Sequence, residues 1–155
     1  MIPGALREFL SAPRWCALGL VDRRGRPHLA RCGGWQLGPP GGPDLLVVTR
    51  TSFLSVLPGR DASDRVTLLM NESERFVAYQ LKGRGKAREA TAAEIEAARE
   101  MMGKLAVTSE QHWGLPASLY TSIILAPATT IEVTVEEAFA QSPGPGAGER
   151  LGGTA

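Results

Sequence analysis

The residues best suited to chemistry run from Phe76 to Arg88, FVAYQLKGRGKAR. At the two-residue period of a β-strand, Gln80, Lys82, Arg84, Lys86 and Arg88 share one face, and Val77, Tyr79, Leu81, Gly83, Gly85 and Ala87 the other. Same-face neighbours stand roughly 6.5–7 Å apart along a strand. Cations in such a row repel one another unless water, carboxylates or an anionic ligand lies over them, and a phosphate suits the row. Periodicity alone favours the plainer reading, the solvated outer face of an edge strand, where lysines also block unwanted pairing. A second candidate is the junction of DLLVVT with RTSFLSVL. A strand running into a helix capped by Thr51 or Ser52 leaves backbone N–H groups that can hold a phosphate, with Arg50 alongside. Local sequence alone favours an ordinary cap and a surface arginine there.

Other chemistries find little support. Cys16, Cys32, His28 and His112 show no zinc-ligand spacing, so no metal is expected. No Ser-His-Asp or Cys-His arrangement stands out. His28 beside a hairpin turn and His112 in a loop read as surface residues.

The elements that must position these residues are mostly short strands. ALREFL forms a short helix with Leu6, Phe9 and Leu10 inward, stopped by Pro13. CALGLVD, the turn RRG and RPHLARCGGW form a hairpin. Gly25 closing a three-residue loop sets Asp22 opposite Arg26 and, by the same register, Cys16 opposite Cys32. Such cysteines are near enough to bridge, but two packed thiols is the favoured reading, because cytosolic thiols stay reduced. QLGPPGGPD is a loop, DLLVVT a strand, and RVTLLMN another strand that turns at ESER into the cationic strand. Thr91 and Glu94 form a capping box opening a helix to about Leu105, with Ile95, Ala98, Met102 and Leu105 inward. SIILA and TTIEVTVEE supply one or two strands around Pro127. In the latter, Ile131, Val133 and Val135 alternate with Thr130, Glu132 and Thr134, as in a sheet with one wet face. SPGPGAGERLGGTA is too rich in glycine and proline to order itself and reads as a tail or a strap. The expected organisation is one domain over residues 1–141 and a tail over 142–155, with no internal repeat.

Seventeen Lys plus Arg against sixteen Asp plus Glu give a net charge of +1. No whole-protein field favours nucleic acid or a membrane surface. With no basic leader and no apolar run of membrane-spanning length, a cytoplasmic protein is expected.

Taken in order, VDRRGRPHLARCGG, DLLVVTRTS, RVTLLMN, YQLKGRGKA with its capped helix, and EEAFAQSPGPGAG resemble the pyridoxamine 5′-phosphate oxidase-like family across roughly residues 5–150. The resemblance implies a mainly β fold: an antiparallel, Greek-key-like split β-barrel with one strong helix after the cationic strand. It also implies a homodimer that binds FMN at its interface and acts as a flavin-dependent oxidoreductase on a small-molecule substrate. Carried over by position, it puts the flavin ring against Arg31, Val48 and Thr49, and the phosphate near Arg50 and Ser52. Gln80 and Lys82 would reach in from the neighbouring strand, and Trp113, in the irregular segment EQHWGLP, would cover the ring from the partner subunit. One position departs from the pattern: where many flavin-binding members carry a lysine or arginine two residues after the serine, this chain has Leu54, followed by Ser55. Relatives with this architecture also imply two alternatives, a deazaflavin or a haem in the same groove, with His112 beside Trp113 as the feature that admits a haem ligand. Leu54 leaves room for a third, a cofactor-free binding or sensing module. Residues 36–43 and 106–121, expected as loops, would shape the substrate pocket.

Overall fold

The computed structural model describes residues 2, 4–22, 24–54, 65–121 and 127–152. The predicted strand at 122–126, positions 55–57 of the predicted second helix and the last three residues of the tail lie outside them.

Helix α1 (Gly4–Phe9) leads into β1 (Trp15–Val21), β2 (Pro27–Arg31), β3 (Gly34–Leu37) and β4 (Leu45–Arg50). A short α2 (Thr51–Leu54) precedes β5 (Arg65–Glu72) and β6 (Val77–Glu89). Then come the long α3 (Ala92–Trp113), a short α4 (Ser118–Thr121), β7 (Ala128–Ala140) and β8 (Arg150–Leu151). All pairings are antiparallel, in the order β2-β1-β5-β6-β7-β4-β3, with β8 on β7.

The two ends of that order are successive parts of one segment, which is how the sheet curls into a barrel. RPHLARCGGW is not one continuous strand. Its first half pairs with β1, ending where the Cys32 N–H donates to Cys16 O at 2.9 Å. One residue later the Gly33 N–H donates to Val48 O at 2.8 Å, and the chain continues as β3 along β4. The glycine pair at 33–34 permits the change of partner: a Cβ on Gly34 would stand 2.6 Å from the Cα of Ala98 on α3, so only glycine lets the helix lie this close.

Alternation places the core. Leu18, Leu20, Leu45, Val47, Leu68, Met70, Leu81, Ile131 and Val133 point inward and are almost fully buried, joined by Leu6 of α1 and Leu10 just after it, inward as predicted. A second cluster lies outside the barrel, where Ala98, Met102, Leu105 and Ala106 of α3 cover Val48 and Ala128. Thr130, expected on a wet face, is fully buried for that reason, and its hydroxyl donates to Glu94 Oε2 at 2.8 Å.

The capping box is present: Glu94 N–H donates to Thr91 Oγ1 at 3.2 Å, and Thr91 N–H to Glu94 Oε2 at 2.9 Å. The helix runs past Leu105 to Trp113, so residues 106–113 are not loop. Its stop is Gly114, left-handed at φ 65°, with Pro116 two residues on. The Gly/Pro-rich end is a strap as far as residue 152. Gly148 N–H donates to Ala140 O at 2.7 Å, Ala140 N–H to Glu149 O at 2.9 Å, and β8 pairs with β7.

Candidate functional site

The alternation predicted for the cationic row is present, but β6 lies between β5 and β7 and is not an edge strand. Its cations are answered by carboxylates from β7 and α3. Arg84 Nε donates to Glu136 Oε1 at 2.9 Å and Arg88 Nε to Glu132 Oε1 at 2.7 Å. The Arg88 terminal nitrogens hold Glu94 at 2.6 and 2.8 Å. These bonds, with those from Thr91 and Thr130, hold the Glu94 carboxyl down to about 2, and the same carboxylates raise Arg88 above its ordinary value. Lys82 lies over the Phe139 ring at 4.7 Å. A β-bulge on β7 between the partners of Lys82 and Gly83 lets the row pass close to β7: a Cβ on Gly83 would stand 2.0 Å from Thr134 O. Much of the row is thus compensated within the chain.

A different place offers an open strand edge. The bonds Asp22 N–H to Arg26 O and Cys32 N–H to Cys16 O aim the even-numbered residues of β2 at β1. Leu29 and Arg31 therefore present their backbone N–H and C=O to the other edge of β2, where no strand among the described residues pairs. On β4, Val48 meets Gly33, but beyond it the partner has left toward β1, so the backbone of Arg50 faces the same opening. This divergence between β2 and β4 is the split in the barrel. At its mouth Arg31 lies over the Trp15 ring at 5.2 Å, and Trp15 meets Tyr120 at 5.0 Å, whose hydroxyl bonds Ser109 Oγ at 2.8 Å.

Five of the eight sequence-predicted residues lie on β2, β4 and α2, the elements that border the split. Arg31 is exposed on the rim, Val48 is buried beneath α3, Arg50 ends β4, and Ser52 is exposed on α2. Thr49 is buried on the barrel side, and its Oγ1 finds no hydrogen-bond partner among the described residues. Thr51 is not a cap: it is the first helical residue, and its hydroxyl bonds Thr129 Oγ1 at 2.9 Å. Leu54, the departure from the family pattern, closes α2.

Gln80 and Lys82 do not reach the split from a neighbouring strand, because β7 separates β6 from β4. Lys82 pairs with Glu137 whereas Thr49 pairs with Thr129, about 25 Å away along β7 at ~3.3 Å per residue. On the other side, the row Gln80, Leu69, Ala17, Arg31 crosses three strand spacings, about 14 Å. These residues share the outer face of the sheet, where Leu29 is 75 % exposed and Val21 and Leu69 are also exposed. Trp113, the last residue of α3 rather than part of an irregular segment, is 52 % exposed.

Three further features were not predicted. The Asp22 side chain organises the hairpin: Oδ1 accepts the Arg24 and Arg26 N–H groups at 2.8 and 2.9 Å, and Oδ2 accepts Arg26 Nε at 2.9 Å and meets His28 Nε2 at 3.2 Å. The backbone bond from Arg26 is the largest cause holding its pKa well below the carboxylate range. His28 is thus tied into the turn. A cavity of about 390 Å³ lies between α3 and the start of β1, lined by Arg14, Trp15, Glu72, Lys104, Thr108 and His112. A groove of about 520 Å³ runs between Leu10, Trp35, Leu37, Ala97 and Met101. Neither contains any of the eight candidate residues. Among the described residues no group of three metal-ligating side chains is present, and no helix is long and apolar enough to cross a membrane.

No protein-family model matches the sequence, and no curated protein matches it. Solved structures do match. HupZ of Group A Streptococcus is similar at 18 % identity and a TM-score of 0.55, over 96 % of this chain and 100 % of that one. Conserved hypothetical protein Rv2991 of Mycobacterium tuberculosis is similar at 16 % identity and a TM-score of 0.53, over 90 % of this chain and 84 % of that one. At these identities the likeness concerns the fold alone: a mainly β, antiparallel, split-barrel-like half-barrel with one long helix.

Proposed function

We propose that the protein is an FMN-dependent oxidoreductase whose cofactor sits in the split between β2 and β4 of one chain, closed by the outer sheet face of a second copy. The observation that carries this reading is the split itself. Among the described residues no strand pairs with the edge that the Leu29 and Arg31 backbone groups face, and the cations Arg31 and Arg50 border it. Their chemistry fits a planar heterocycle carrying amide-like edges and a phosphate.

The distance of Gln80 and Lys82 from the split supports the two-chain form. Arg31, Gln80 and Lys82 lie on one outer face with Leu29, Ala17, Gly19 and Leu69. A second copy packed on that apolar face would bring the partner subunit's Gln80 and Lys82 toward this chain's Arg31 and cover the exposed leucines.

When bound, FMN supplies the redox chemistry, accepting or giving a hydride at N5. Arg50 and Ser52 hold the phosphate in place of the basic residue that Leu54 replaces. Arg31 and the partner subunit's Lys82 put positive charge beside the ring, which favours the reduced, anionic form. Trp15, with the Arg31 guanidinium over its ring, gives the mouth an aromatic side.

The test is the visible absorption spectrum of natively purified protein, followed by titration with FMN. Flavin bands, or saturable FMN binding by colourless protein, support the reading. A Soret band, a deazaflavin spectrum, or colourless protein that ignores excess FMN overturns it in favour of haem, deazaflavin or a cofactor-free module.

A further inference from the structure

We propose that Cys16 and Cys32 form a reversible oxidation site, closing to a disulfide across the seam of the barrel when a peroxide-class oxidant reaches them. This inference is independent of the flavin reading.

Both cysteines are free and buried, at 6 % and 4 % exposure, and both side chains belong to the barrel core. They are the chain's only cysteines, so neither has a competing intramolecular partner. They stand opposite each other one step beyond the Ala17–Arg31 pair, joined by the 2.9 Å bond from Cys32 N–H to Cys16 O. Hydrogen-bonded antiparallel pairs hold their Cα atoms about 5.5 Å apart, inside the ~4.4–6.8 Å that a disulfide spans.

The position also says what kind of disulfide this is. Cβ atoms of directly opposed residues lie about 4.5–5.5 Å apart, against ~3.5–4.5 Å in a disulfide, so closure must draw the strands slightly together. It can do so here because the next residue, Gly33, has already turned to Val48. A bridge formed under such tension is easily reduced, as regulatory disulfides are. Closure would tie β1 to the point where β2 becomes β3, directly behind Arg31.

The reaction balances with hydrogen peroxide as oxidant. One cysteine sulfur, as thiolate, attacks a peroxide oxygen, the O–O bond breaks, and hydroxide leaves to become water with the released thiol proton. The second sulfur then attacks the resulting sulfenic sulfur, forming the S–S bond and expelling the oxygen as a second water. Two electrons pass from the sulfur pair to the peroxide. Burial and the raised Cys16 pKa keep the first step slow.

The experiment treats the folded protein with hydrogen peroxide, then blocks remaining thiols under denaturing conditions for intact-mass and non-reducing peptide mapping. The expected product is a monomeric chain lighter by two hydrogens, with Cys16 linked to Cys32, no alkylation, and full recovery in dithiothreitol. Amide hydrogen exchange at Cys32 and Gly33 should slow in the oxidised form. In Cys32→Ala the same treatment should give only a trappable sulfenic acid on Cys16. Two alkylatable thiols after treatment, only intermolecular disulfides, or only sulfinic and sulfonic acids in the folded protein would overturn the proposal.

Discussion

Arg88 on β6 grips Glu94 on the first turn of α3 through both terminal nitrogens, at 2.6 and 2.8 Å, and so fastens the long helix to the barrel wall. The same carboxylate closes the capping box and accepts the Thr130 hydroxyl.

Replacing that carboxylate should therefore cost stability and change its pH dependence. Glu94 titrates at about 2 when folded against an ordinary 4.5, so its contribution is fully present above 4.5 and is lost as pH falls toward 2. At about 1.36 kcal/mol per unit this amounts to roughly 3–3.5 kcal/mol. Urea unfolding of Glu94→Gln should show that loss at pH 7 and a flatter acid limb. Equal stability of the two proteins at pH 7 would contradict this role.

Gly34→Ala tests the approach of α3 to β3. The new methyl would stand 2.6 Å from the Ala98 Cα and 2.7 Å from its Cβ. The helix must retreat, at about 1–3 kcal/mol by analogy with other overpacked cores. Circular dichroism melting should show a lower midpoint with unchanged helix content.

The outer face should set the oligomeric state. Leu29→Glu with Leu69→Glu replaces two exposed leucines on neighbouring rows of the sheet. Burying a leucine contributes roughly 1.5–3 kcal/mol, so the double variant should dissociate a dimer more than tenfold more readily. Light scattering should find a wild-type dimer and a folded variant monomer; a monomeric wild type would remove half of the proposed pocket.

Arg50→Ala combined with Lys82→Ala should strip FMN without unfolding the chain, since both side chains lie outside the core. A charge-assisted bond to an anion contributes about 1.5–3 kcal/mol, so each loss should weaken FMN roughly ten- to a hundredfold. Fluorescence titration measures this, and unchanged affinity would count against the site.

What the sequence made legible was local. The three-residue turn closing at Gly25 set the register that places Cys16 against Cys32, and Thr91 with Glu94 announced the start of α3. The helix end was missed because Thr108 and Ser109 interrupt the apolar pattern, though Gly114 and Pro116 carried the stop signal. Strand neighbours were beyond local reasoning. Nothing near Lys82 says that β7, more than forty residues on, lies between it and β4. The cluster of Arg31, Val48, Thr49, Arg50 and Ser52 is near in space because Gly33 hands the chain from β1 to β4, a change of partner that alternation does not register.

β7 is the last long strand of the chain, yet it lies between β6 and β4, both made earlier. Until Ala128–Ala140 emerges during synthesis, the β2-β1-β5-β6 sheet and the β3–β4 hairpin are two open half-sheets with sticky edges, hinged at Gly33. Ring closure is thus a late, long-range event, which slows folding and exposes the nascent chain to mispairing. Lesions in β7 should trap expression before they impair the finished protein.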